Sequence, residues 1–413
     1  MQLLLGLFVV VSITLLAASR KWWAYRRYPL LAALTAGGWI TVLLGMFLGP
    51  HSLRVLGERD IALLTPLIFF GLGWAGMMIG LQADFKLRRF VPQEAISLAF
   101  SDLVITILTV GVVSLFVFIY IYSVPLSAVV LIFSVLVAVL LLGCTAEIRS
   151  LRLLRRDITY QELKLLQISS GLSSIAMVVL FGLLLKSLGL LSQIQSGEFR
   201  YASFLYGLVL ILVVVAVVAM LGRWLMVMIG RKEPEFLVVL FGLVALCSGA
   251  AVALNYSPLF VSMLCGVVLA NFSHKDLVRL KRFVLEAERP IALGLLFLAG
   301  MWAYPFLSKA EVILVLALLF AKLFSKLILP KMLPARGVPE ALGREAKRAG
   351  YFRQSPLALI LCLDFLFTYN SGAGFGDVTG LITPEKLLFV LILTGVASHL
   401  ILQFYGRFER RSG

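Results

Sequence analysis

Residues 95–122 read AISLAFSDLVITILTVGVVSLFVFIYIY, with a single charge, Asp102. About 20 apolar residues suffice for a helix to cross the hydrocarbon of a bilayer, so this stretch spans with residues to spare. It lacks the alternation of a barrel strand, and lipid leaves only helices and closed barrels viable. A charge at bilayer depth costs roughly 3 kcal/mol on the lowest scales and more on others. Asp102 is therefore expected to face a polar cavity or a partner, which makes it a candidate for an ion or proton pathway.

The same pattern recurs in both directions. Apolar runs cover roughly 2–18, 29–48, 61–81, 95–122, 125–143, 163–187, 202–229, 235–254, 257–271, 289–304, 310–331, 351–370 and 384–405. Of 413 residues, 61% are hydrophobic and 14% charged, against about a quarter charged in soluble domains. The fold class expected is an all-α polytopic membrane protein with thirteen transmembrane helices. Two further charges fall inside such runs: Lys322, within Phe320-Ala321-Lys322-Leu323-Phe324, and Asp364, within Ile360-Leu361-Cys362-Leu363-Asp364-Phe365-Leu366.

The net charge of +16 invites a nucleic-acid partner, and topology removes it. With loops assigned alternately to the two sides, one side collects thirty Lys/Arg. The other collects six: Arg54, Arg59, Lys186, Arg200, Lys309 and Lys386. The positive-inside rule makes the richer side cytoplasmic, with the N-terminus outside, the C-terminus inside, and a plasma or inner membrane location. The first run has no basic segment before it; Arg20-Lys21-Trp22-Trp23-Ala24-Tyr25-Arg26-Arg27 follows it. That order fits a retained first helix rather than a cleaved signal peptide. The four cysteines, Cys144, Cys247, Cys265 and Cys362, sit in or at the ends of apolar runs and read as packing residues. No metal spacing, catalytic triad or phosphate-loop motif stands out, so neither a cofactor nor an enzyme is expected.

Two helices look interrupted. Residues 125–154 continue through Gly143-Cys144-Thr145-Ala146-Glu147 without a turn signal. A straight helix of that length would be about 45 Å long, against a hydrocarbon core of about 30 Å. A break near 143–145 would resolve the excess. The second is at Gln354-Ser355-Pro356, where Pro removes a backbone donor; it either breaks a helix or occupies a first turn. Interrupted helices in matching positions of two halves point to a transporter binding site.

Several segments resemble the cation:proton antiporter superfamily, with the nearest flavour the monovalent cation:proton antiporter-2, or potassium-efflux, branch. They are Ser262-Met263-Leu264-Cys265-Gly266-Val267-Val268-Leu269-Ala270-Asn271, then Leu295-Leu296-Phe297-Leu298-Ala299-Gly300-Met301. Ile79-Gly80-Leu81-Gln82-Ala83-Asp84 is similar to the family's A-G-L-E-L-D segment, and Thr145-Ala146 to its S-S-T-A segment. Lys322 matches the family's lysine in the eleventh helix. The resemblance implies an inverted-repeat fold with two broken crossing helices and exchange of a monovalent cation (Na⁺ or K⁺) for protons. It further implies elevator-like movement of a core bundle (about 95–187 and 310–405) against dimerisation helices (about 29–81 and 235–304), in a homodimer. All of residues 1–413 then form one transmembrane transporter domain, with no soluble regulatory domain expected.

The chemistry departs from that pattern. The family's Q-D-[IL]-A in helix six reads Ser173-Ser174-Ile175-Ala176 here, and its Q-G-G-E reads Gln354-Ser355-Pro356-Leu357. Ser174 and Leu357 thus replace two carboxylates. Ion exchange would need relocated groups among Asp364, Asp102, Glu147 and Lys322, with Thr145, Ser173, Ser174 and Gln354 as neutral oxygen ligands. Lys322 either pairs within the core or snorkels towards the cytoplasm past Lys326. Asp364 and Asp102 either serve transport or stabilise their helices by hydrogen bonds. Two other functions stay open: a non-transporting pseudo-antiporter in a membrane complex, and a carrier of an anion or organic solute attracted by Lys322.

Overall fold

In the computed structural model, residues 38–53, 57, 63–83, 92–142, 160–192, 201–229, 233–272, 275–332, 355–370 and 382–412 are described. They form helices and connecting turns. In chain order these are α1 (Trp39–Leu48), α2 (Thr65–Gln82), α3 (Gln93–Tyr120), α4 (Ala128–Leu142), α5 (Tyr160–Ser192), α6 (Tyr201–Ile229) and α7 (Glu233–Ala253). They continue with α8 (Pro258–Phe272), α9 (Lys275–Glu286), α10 (Glu288–Trp302), α11 (Lys309–Met332), α12 (Pro356–Asn370) and α13 (Pro384–Ser412). Five of them, α2, α3, α5, α6 and α7, contain stretches long and apolar enough to cross a bilayer.

The described part of each apolar run from 29–48 onward falls on one of these helices; the run 2–18 lies outside the described residues. The addition is α9, an amphipathic helix with Leu280 and Val284 buried and Arg282 exposed. Its ring contact is Phe283 with Phe236 of α7, 5.8 Å between centroids.

The helices pack as two groups. α1 lies along α10 and α2 along α8, with α6 and α7 against α8. α3 packs on α4, α5 and α11, α4 packs on α5 as well, and α13 joins α11 to α12. Glycine decides the first group's spacing. A methyl on Gly76 or Gly80 of α2 would overlap the carbonyl oxygens of Leu259 or Met263 on α8, and one on Gly266 would press on the Met77 carbonyl. Lipid offers no hydrophobic drive for helices to associate, so such close backbone approach through small residues supplies the attraction.

The suspected break at 143–145 lies outside the described residues. At the twelfth run, Pro356 is the first residue of α12. Ser355 caps it, accepting the Leu357 N–H at its hydroxyl (3.1 Å) and the Ala358 N–H at its carbonyl (3.0 Å). Pro is suited to a helix first turn, where its missing donor has no partner to lose.

Candidate ion-pathway site

α3 shows lipid one face and the protein another. Phe100, Leu108, Val112 and Phe116 are exposed, whereas Leu98, Asp102, Thr106, Val110 and Ser114 are buried at helical spacing. Asp102 is 2% exposed and accepts the Thr106 hydroxyl one turn on, at 3.4 Å. This i to i+4 bond follows from the helical rise, which stacks residues four apart.

α11, packed along α3, repeats the arrangement. Phe320 and Phe324 face outward, while Leu314, Leu318, Ala321, Lys322 and Ser325 form the buried stripe. Lys322 is 1% exposed, so its ammonium does not snorkel to an interface. That alternative is corrected: the lysine sits on the inward stripe, and the Phe320 and Phe324 side chains take the lipid-facing positions.

On α5, Ser173 is buried on a stripe with Ser169, Met177 and Phe181. Ser174, in the position the resemblance gives to an acid, is half-buried and donates to the Ser170 carbonyl at 2.9 Å. Its hydroxyl hydrogen is thereby used within its own helix. Thr145, Glu147 and Gln354 lie outside the described residues.

Asp364 stands apart from these. It is fully buried on α12, and its hydrogen bonds come from the Ser257 hydroxyl, the Thr368 hydroxyl (3.3 Å) and the backbone N–H of Leu259. Lys322 is not among its partners. Ser257 is the N-cap of α8, accepting the Phe260 N–H at 3.0 Å, and Pro258 is that helix's first residue. Asp364 therefore lies at the positive end of the α8 dipole, next to N–H groups that have no partner inside the helix.

Ser257, Thr368 and Lys186 were not candidates from sequence. Ser257-Pro258 is a legible helix start, and Asp364 with Thr368 is a legible i to i+4 pair. The meeting of the two, 107 residues apart, leaves no local trace. Lys186 reads as a loop lysine but lies in α5, half-buried. Its ammonium is 4.4 Å from the Tyr256 ring centroid and 3.4 Å from the Leu254 carbonyl. Cys247, Cys265 and Cys362 are buried free thiols, Cys144 lying outside the described residues.

No protein-family model matches this chain. No curated protein matches it either. Among solved structures, that of the sodium proton antiporter MjNhaP1 from Methanocaldococcus jannaschii, at pH 8, matches with a TM-score of 0.69. The match covers 97% of this chain and 98% of that one at 14% sequence identity. The chain is thus an all-helical membrane protein among its described residues, and its fold is the one seen in that sodium proton antiporter structure.

Proposed function

We propose that this protein is a secondary transporter exchanging a monovalent cation, Na⁺ or K⁺, for protons, with Asp102 and Lys322 as its titratable centre. The observation that carries this reading is the burial of both groups on two helices packed together, within a fold shared end to end with a sodium proton antiporter. An ionised Asp102 can hold a cation; once protonated it releases it, and that competition is what exchange requires. Lys322, buried on the neighbouring helix, supplies a positive charge that competes with the cation for the same region of the core. Ser173 and Thr106 offer neutral oxygens, with Thr145, Ser174, Gln354 and Glu147 as further candidates for the pathway.

In this reading the chain has thirteen spans, with the Lys/Arg-rich loops cytoplasmic and the N-terminus outside. It is assigned to the potassium-efflux-like branch of the cation:proton antiporters and works as a homodimer. The group of α3, α4, α5, α11, α12 and α13 moves against the rest in alternating access. The test is cation-dependent proton flux in proteoliposomes. Wild type is expected to exchange, and Asp102→Asn and Lys322→Ala to lose exchange by roughly tenfold or more, the scale of one charged group's contribution. Full activity in both variants would overturn the assignment.

A second reading is favoured by Ser174 and Leu357 in place of the two family carboxylates: a pseudo-antiporter retained as a membrane partner. Absence of any cation-dependent proton flux in wild type, together with a stably co-purifying protein, would select it.

A further inference from the structure

We infer that the turn at residues 254–257, between α7 and α8, is a two-sided latch. It holds α5 and α12 against α7 and α8 on the Lys/Arg-poor face and releases both when the protein opens to that face. The inference rests on the alternating-access reading above, in which these two pairs of helices belong to groups that move against one another.

The turn itself is a fixed post. α7 ends in a Schellman motif: the Tyr256 N–H donates to the Ala251 carbonyl at 2.9 Å and the Asn255 N–H to the Val252 carbonyl at 3.1 Å. Asn255 takes the left-handed conformation such a motif requires, with φ of 53°, one that asparagine tolerates better than most residues. Ser257 then caps α8 at once. Within four residues the chain presents the carbonyl end of one helix and the N–H end of the next. Those are a partial negative charge followed by a partial positive one.

The opposing group supplies the complementary charges in the matching order. Lys186 of α5 points its ammonium at the Leu254 carbonyl and the Tyr256 ring. Asp364 of α12 takes the Ser257 hydroxyl and the Leu259 N–H. Between them, Phe260 at the start of α8 nests on Gly182 of α5, where a methyl would overlap the ring. Every polar contact in this grip can be exchanged for water, which is what a latch needs. Asp364 is on this account a closing contact rather than the exchanging carboxylate.

The two grips share one rigid post, so releasing one has to loosen the other. The experiment labels lysines with a water-soluble acylating reagent in nanodiscs, quantified by mass spectrometry, with Lys281 as internal standard. Lys186 is expected to label about tenfold faster in Ser257→Ala and Asp364→Asn than in wild type, the loss of one bond to a charged group. Neither substitution touches Lys186. Ser257→Thr, which keeps a hydroxyl, should stay near wild type. In the reciprocal arm, Lys186→Met should speed amide exchange at Leu259 and Phe260 by a similar factor, which keeps the test open should the α8 variants fail to fold. Unchanged Lys186 labelling in the α8 and α12 variants, or unchanged amide exchange in Lys186→Met, would overturn the latch. Flux measured on the same wild-type preparation judges the transport reading separately: its absence defeats that reading while the labelling still decides whether the two grips are linked.

Discussion

α8 makes two seams of opposite character. Towards α2 it is dry and backbone-tight, with Gly76, Gly80 and Gly266 letting carbonyl groups approach where any side chain would collide. Towards α5 and α12, α8 and the turn before it are held by two side-chain charges, one hydroxyl and an aromatic ring seated on one glycine. The first seam has no replacement for the contacts it would lose on parting, since lipid cannot fill a gap cut to backbone shape. The second consists of bonds that water can take over. One helix is thus packed tightly on one group and held by exchangeable bonds to the other, which suits the movement proposed above.

The most severe way to break this comparison is to wedge the dry seam. Gly80→Leu forces α2 off α8 and is expected to cost roughly 3 kcal/mol or more, at or above the upper range for overpacking. The readout is loss of the folded species in thermal unfolding and size-exclusion chromatography. A Gly80→Leu protein as stable as wild type would show that this seam is not fixed.

A smaller effect tests whether the turn between the seams is rigid. Asn255→Val places a β-branched residue in the left-handed region and should destabilise by about 1–2 kcal/mol, whereas Asn255→Gly should be neutral or slightly stabilising. Equal melting temperatures for the two variants would mean that the turn relaxes and cannot act as a post. The smallest effect lies away from both seams. Arg282 and Glu286 of α9 form a 3.2 Å pair on an exposed face, so Arg282→Ala should change stability by no more than about 0.5 kcal/mol.

The helices were legible because hydrocarbon makes the same demand of every span: a run of about 20 apolar residues. α9 escaped that criterion because it lies among charges, although Leu277, Leu280 and Val284 carry helical spacing. Buried charges were legible one at a time, since Asp102, Lys322 and Asp364 interrupt apolar text. Their surroundings were not, because partners come from distant segments. Asp364, like Asp102, interrupts an apolar run, but its partner Ser257 lies far away in the chain. Lys322 could be read as snorkelling until the stripe from Leu314 to Ser325 turned it inward. Lys186 carried no signal beyond its charge, since the ring and the carbonyl it meets belong to the turn after α7.

The division of labour among the three buried charges is the claim most open to direct attack. Cation-driven proton flux should be measured in proteoliposomes for wild type, Asp102→Asn, Lys322→Ala and Asp364→Asn, all reconstituted at equal protein content. The account predicts exchange in wild type, its loss in the Asp102 and Lys322 variants, and continued exchange at an altered rate in Asp364→Asn. Exchange that survives Asp102→Asn and vanishes in Asp364→Asn would contradict it, making Asp364 the exchanging carboxylate.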